Sequence, residues 1–254
     1  MNKSMLFLAL GLACASAFGQ TPITLKTELQ DNSPKFMLDS GGKASGICID
    51  IFNLLDSKEK IKFVYANAFV ATKAIEANVA SAVADVHCGW VKNEAREKIA
   101  TFGEELFKVS YPGVVRAADK VDFKSVSDLI NLESQGKVLG VNGVGSTSSL
   151  QKINGLLVDD SAKDAEQALK NLAAGRGRVF VYTSLAINYE LSQPENKGKF
   201  RTIQIDFEGN KAFNTSSQYI VFSKKVPPAT VAAVNAAIAK NRKDIEAIVK
   251  KYGG

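Results

Sequence analysis

The chain is poor in the residues that build metal and nucleophile sites. Its 254 residues include one histidine, one tryptophan, three cysteines and six prolines. His87 has no second ligand at a suitable spacing, so the sequence offers no metal site, and the interior of a strand is its expected place. No nucleophile elbow, phosphate loop or pair of catalytic carboxylates is present. The basic residues are spread among acidic ones, and no Lys/Arg run is interleaved with aromatics, which argues against a nucleic-acid partner. Internal repeats, low-complexity tracts and long linkers are all missing.

Long apolar runs are missing too, except at the start. Lys3 gives a positive opening, and residues 5–13 (MLFLALGLA) form an apolar run too short for the roughly 20 residues of a membrane span. Ala17-Phe18-Gly19 then offers the small residues read by a signal peptidase. Residues 1–19 are therefore expected to be a signal peptide, with the mature chain beginning at Gln20 and exported to the periplasm. Lipidation at Cys14 is the weaker alternative, because Gly11-Leu12-Ala13 lacks the usual leucine. Processing removes Lys3 and Cys14. The formal charge falls from +6 to +5, a modest field that slightly favours anionic ligands. Cys48 and Cys88 remain, an even pair in an oxidising compartment. A disulfide between them is expected, with two buried free thiols as the alternative.

What is there is an alternation of short apolar strands and helices, the pattern of an α/β fold. Strands are expected at Ile23–Thr27, Ile61–Ala66, Val86–Cys88 (ending at Gly89), Val138–Val141 and Val179–Tyr182. Helices are expected over Ile49–Leu55, along the Ile75/Val79/Val83 stripe, from near Ser146, and over Ala162–Ala174 before Gly175. Pro227-Pro228 opens the clearest helical stretch, with Val231, Val234 and Ile238 on one face and the spacing repeated at Ile245, Ile248 and Tyr252. Two extended stretches, Val109–Ala117 and Gln218–Ser223, would cross between two α/β lobes and form a hinge.

Laid end to end, these segments resemble the type 2 periplasmic solute-binding proteins of amino-acid ABC importers (bacterial extracellular solute-binding proteins, family 3). The resemblance covers nearly all of the mature chain. It is carried by Ser33-Pro34-Lys35-Phe36, by Gly46-Ile47-Cys48-Ile49-Asp50, and by Asp85-Val86-His87-Cys88-Gly89-Trp90. Glu94-Ala95-Arg96 with Phe102 follows, then Leu139-Gly140-Val141 before Gly145-Ser146-Thr147, and finally Tyr219-Ile220-Val221-Phe222-Ser223-Lys224. The resemblance implies two Rossmann-like lobes with mixed sheets joined by a two-strand hinge: residues 20–113 plus 219–254 in the first, 114–218 in the second.

It also implies a ligand-binding set: Arg96, Gly89, Trp90, Ser146, Thr147, Thr183, Tyr182 and Phe36. Arg96 would grip a ligand carboxylate with its planar fork of donors. Ser146 and Thr147 would offer a helix start from the other lobe, a role that equally suits a plain cap. Gly89 and Trp90 would sit at the carboxyl edge of the first sheet, Trp90 stacking on the ligand or capping the lobe's core. Thr183 stands where relatives that take α-amino acids present an aspartate for the ammonium, which puts an ordinary α-amino acid in doubt. The expected activity is binding without catalysis and without a cofactor, by a monomer that hands a small carboxylate-bearing ligand to a membrane permease. The alternatives are a periplasmic dehydratase-like enzyme on the same fold and a ligand-sensing partner of a membrane receptor. Against the enzyme, the segments assignable to the cleft supply no titratable acid or base besides Arg96.

Overall fold

The computed structural model describes residues 22–120 and 123–254. The expected signal peptide, with Cys14, lies outside the described residues. Strand β1 (Ile23–Lys26) pairs in parallel with β4 (Ile61–Val64), from Ile23 against Ile61 to Lys26 against Val64. Between them come a short hairpin, β2 (Met37–Leu38) with β3 (Ala44–Ser45), and helix α1 (Ile47–Glu59). Gly46 precedes α1 at φ 109°, and a Cβ there would lie 2.7 Å from the Pro34 and Lys35 carbonyl oxygens, so only glycine fits. Those carbonyls accept the Ile47 and Cys48 amides at 3.0 Å each, satisfying two otherwise free donors at the helix start. The loop 33–36 is thereby tied to α1.

Helix α2 (Thr72–Ser81) leads to β5 (Val86–Val91), α3 (Glu94–Ile99) and the long β6 (Ala100–Val109). The chain then leaves this first lobe, and its last strand, β12 (Ser216–Ser223), returns to run antiparallel between β5 and β6. Helices α8 (Pro228–Lys240) and α9 (Arg242–Lys251) close the lobe. One core joins Leu25, Ile51, Phe52, Ile220, Phe222, Ile238 and Ile245; a smaller one, under α2, joins Ile75, Val79, Trp90 and Val221. Each fully buried side chain of this size stabilises by about 1.5–3 kcal/mol.

The second lobe is one five-stranded mixed sheet. Its strands are β7 (Gly113–Arg116), β8 (Val138–Val141), β9 (Val158–Ala162), β10 (Val179–Val181) and β11 (Phe200–Ile203), in the order β11-β7-β10-β8-β9. The β8 strand is parallel to β9 and β10, while β7 is antiparallel to β10 and β11. Helices α4 (Val126–Ile130), α5 (Gly145–Leu150), α6 (Ala165–Ala173) and α7 (Ser184–Ser192) accompany them. Separate clusters, one with Val115, Phe123 and Leu150, the other with Val114, Leu169 and Phe180, make a core of this lobe's own. Where β6 passes into β7, the Ser184 amide donates to the Ser110 carbonyl (2.8 Å) and the Ser110 amide to Ser184 Oγ (3.1 Å).

Several local expectations shift. Strand β5 does not end at Gly89 but runs on to Val91, with Gly89 inside it at φ +84°. Val83 is exposed, because Ala82 takes a left-handed conformation and ends α2 before the apolar stripe is complete. The stretch opening the expected helix at Ala162 is the strand β9; α6 starts after Asp164, whose carboxylate caps it through the Gln167 amide (2.8 Å). The C-terminal helical stretch is two helices, broken at the buried Asn241.

Candidate functional site

A cavity of about 570 Å³ lies between the lobes. The first lobe contributes residues 30–33 and 71–73; the second contributes 141–144, 163–166, Tyr182 and Glu190. A small hollow adjoins it, sharing Asn32 and Ser33 and lined further by Lys35, Thr183 and Gln218. The volume is in the range of small-molecule sites. The Ser33–Pro34 peptide bond on its rim is cis.

The first-lobe floor is cationic. The hairpin and the start of α1 fix the loop carrying Lys35, whose Nζ donates to the Gly89 carbonyl at 3.1 Å. Burial, and then the nearby Arg96, push the Lys35 ammonium down to about 7. Behind it His87 lies fully buried between Phe36 and Trp90, with ring centroids 5.4 and 5.6 Å away. Burial first, then Lys35 and Arg96, push His87 down to about 3, so it is neutral. Cys48 and Cys88 form a disulfide here, Cα atoms 5.9 Å apart, joining the first turn of α1 to β5.

Arg96 is held by its neighbours. Its Nε and a terminal nitrogen donate to Glu76 Oε1 at 2.9 and 2.8 Å, the other terminal nitrogen donates to the Val91 carbonyl at 3.1 Å, and the guanidinium lies 5.0 Å above the Trp90 ring. The arginine does not line the cavity, although Glu76 follows Thr72 and Lys73, which do, by one turn of α2.

The second-lobe wall is acidic. Asp164 and Glu166 project from the start of α6 and Glu190 from α7, which packs beside it. Glu190 is 8% exposed. Burial, with Glu166, Asp164 and Glu195 adding to it against Lys170, raises its carboxyl to about 7. Across the cavity, burial and Asp164 also raise Asp31, while Lys163 lowers it. Tyr182 stacks on Phe180, and burial pushes its phenol above the ordinary range.

Of the expected ligand residues, Tyr182 and Thr183 line these spaces. Gly89 borders them through its carbonyl bond to Lys35. Phe36 and Trp90 are core residues, 0% and 2% exposed. Ser146 and Thr147 sit in α5; Thr147 is buried against Gly140, and the cavity wall beside them is made by Asn142, Gly143 and Val144 instead. The expectation that the cleft holds no acid or base besides Arg96 is corrected: Lys35, Asp31, Asp164, Glu166 and Glu190 are all there. Sequence reasoning passed over Lys35 and Glu190. Each had a faint mark, Lys35 as a charge between Pro34 and Phe36 and Glu190 as the one charged residue in α7. No cluster able to hold a metal, and no helix long and apolar enough to cross a membrane, occurs among the described residues.

Solved structures share this architecture. An ancestral amino-acid-binding protein described as a precursor of cyclohexadienyl dehydratase is 16% identical, with 91% of this chain and 96% of that one covered at a TM-score of 0.73. An amino acid ABC transporter substrate-binding protein of Streptococcus pneumoniae, bound to L-arginine, is 16% identical, with 90% and 94% covered at 0.72. A Bordetella pertussis BvgS VFT2 domain is 17% identical, with 90% and 93% covered at 0.69. At these identities the likeness shows the fold, that of the type II periplasmic binding proteins. A search of curated sequences found no match. The profile of the bacterial extracellular solute-binding proteins, family 3, matches residues 24–254, essentially everything after the opening segment, and the chain belongs to that family.

Proposed function

We propose that this protein captures a small carboxylate-bearing solute between its lobes, without transforming it, and presents it to a membrane ABC permease. The carrying observation is the cavity of about 570 Å³ walled by both lobes, because a ligand seated there touches both and so favours the closed arrangement. Lys35 supplies the first grip on the carboxylate. Its buried ammonium has a carbonyl partner in Gly89 but no carboxylate beside it, and an arriving anion restores its charge. Arg96 supplies a second grip when the ligand's carboxylate takes the place of Glu76. Thr183 and Gln218 flank the hollow as neutral hydrogen-bonding groups. The importer context is supported by the family and by the Streptococcus pneumoniae transporter protein of the same fold.

Calorimetric titration with short carboxylic and amino acids tests the reading, joined to small-angle scattering with and without the acid that binds. Binding with a smaller radius of gyration is expected. Binding without contraction rejects closure, and no binding of any acid rejects the carboxylate grip.

One observation favours a second reading. Glu190 is a buried carboxyl raised to about 7, suited to donate a proton to a leaving hydroxyl, and one neighbour is a dehydratase precursor. Loss of hydroxyl from cyclohexadienyl acids on incubation with the protein would replace transport by catalysis.

A further inference from the structure

Strand β5 is interrupted at Gly89. Against β12, Trp90 stands opposite Tyr219 and Cys88 opposite Ile220, so Gly89 is an extra residue with no partner across that ladder. A bulge of this kind bends its strand and leaves the extra residue unpaired. The Gly89 carbonyl is the group that accepts Lys35 Nζ, at 3.1 Å, and the lysine's stem passes so near that a Cβ on Gly89 would lie 3.0 Å from Lys35 Cδ. Glycine at φ +84° supplies both the backbone conformation and the space, but it is the residue least able to hold one conformation by itself.

The residue before it does the holding. Cys88, fully buried, is bonded to Cys48 in the first turn of α1. The Cys48 amide donates in turn to the Lys35 carbonyl at 3.0 Å. Lys35, Cys48, Cys88 and Gly89 therefore close a ring of hydrogen bond, disulfide, peptide bond and hydrogen bond. The backbone of the lysine and the acceptor of its ammonium are fixed to the same bridge. We propose that the Cys48–Cys88 disulfide is a positioning element of the binding site: it pins the Gly89 bulge to α1 and so sets where the Lys35 ammonium stands for an arriving carboxylate. The proposal rests on the carboxylate reading above and adds that affinity, not stability alone, depends on the bridge. Without the bridge the ring is open, the bulge is free to shift through small changes in glycine's backbone angles, and the ligand must order the ammonium as it binds.

The test is a mutant cycle read by calorimetry, with butyrate, glutarate, benzoate and glutamine as probes and the affinity followed for the one that the wild type binds most tightly. It compares the wild type, Cys48→Ala/Cys88→Ala, Lys35→Met and the triple variant, each first shown by thermal melting to be folded at the titration temperature. Removing the bridge is expected to weaken the probe by about tenfold where Lys35 is present. In the Lys35→Met background the loss should be under about twofold, because no ammonium is left to position. Ile245→Ala, which opens a cavity in the same lobe's core, is titrated beside them and should leave the affinity unchanged. Equal losses in the two backgrounds, no loss where Lys35 is present, or an equal loss from Ile245→Ala overturns the positioning role and leaves the carboxylate reading intact. If the alanine pair does not fold, Cys48→Val/Cys88→Ala refills the space of the sulfurs and runs the same cycle; if neither pair folds, the bridge is a staple of the fold alone and the proposal falls. Binding of none of the four probes by the wild type overturns the carboxylate reading and this proposal together.

Discussion

The two walls of the cleft are built on opposite principles. On the first-lobe side Lys35 and Arg96 are tied to protein: Lys35 to the Gly89 carbonyl, Arg96 to Glu76 and the face of Trp90, with the Cys48–Cys88 bridge behind them. On the second-lobe side Glu190 is left without a partner, beside acids that raise its proton affinity. The first wall is preorganised and the second is held in tension. Under the proposed function, a ligand gains orientation from one side and relieves an electrostatic cost on the other.

The sharpest way to break this contrast is to remove the cation from the ordered wall. Lys35→Met is expected to weaken the carboxylate probe that binds best by about 2–5 kcal/mol in calorimetry, the usual cost of losing one partner of a buried charge contact. The same substitution should help the ligand-free protein in acid. A lysine lowered to about 7 contributes stability that is present above its ordinary 10.5 and is lost as pH falls through 7, so the melting temperature of Lys35→Met should exceed that of the wild type at pH 6. Next in size, reducing the Cys48–Cys88 disulfide should cost about 2–4 kcal/mol in denaturant unfolding, and should loosen the first lobe's amides to hydrogen exchange before those of the second.

The tense wall should respond with the opposite sign. The raised Glu190 carboxyl means that the folded chain holds its proton more tightly than the unfolded chain. Its contribution is complete below the ordinary carboxylate value and is lost as pH rises through about 7. Glu190→Gln should therefore be more stable than the wild type by about 1–2 kcal/mol at pH 8 and indistinguishable from it below pH 4 in thermal melts. The smallest expected effect belongs to Arg96→Ala. Its ion pair with Glu76 is partly exposed, and with the contact to Trp90 the loss should be about 1 kcal/mol. A much larger loss would make Arg96 the keystone of the first wall.

Much of this arrangement was legible in the sequence. The strands β1, β4, β8 and β10 follow from short apolar runs, and α1 and α8 from helical stripes with a glycine before one and prolines at the start of the other. The disulfide followed from an even cysteine count once Cys14 was set aside. The site was less so. Thr183 and Tyr182 line the cleft because they close β10, a position that pattern locates. Glu190 lines it because α7 lies beside α6, a tertiary contact with no local trace beyond a lone charge in an otherwise uncharged helix. The sequence leaves Trp90 open between stacking on a ligand and capping the core, and only the continuation of β5 past Gly89 turns its ring inward beneath Arg96.

That buried indole makes the protein its own optical reporter. As the sole tryptophan, Trp90 is the one source of long-wavelength emission, and it sits between a neutral imidazole and a guanidinium on the wall that holds Lys35. If a carboxylate draws Arg96 away from Glu76, the charge above the ring moves and the emission shifts with it. Occupancy of that wall can then be followed in solution without attaching a dye.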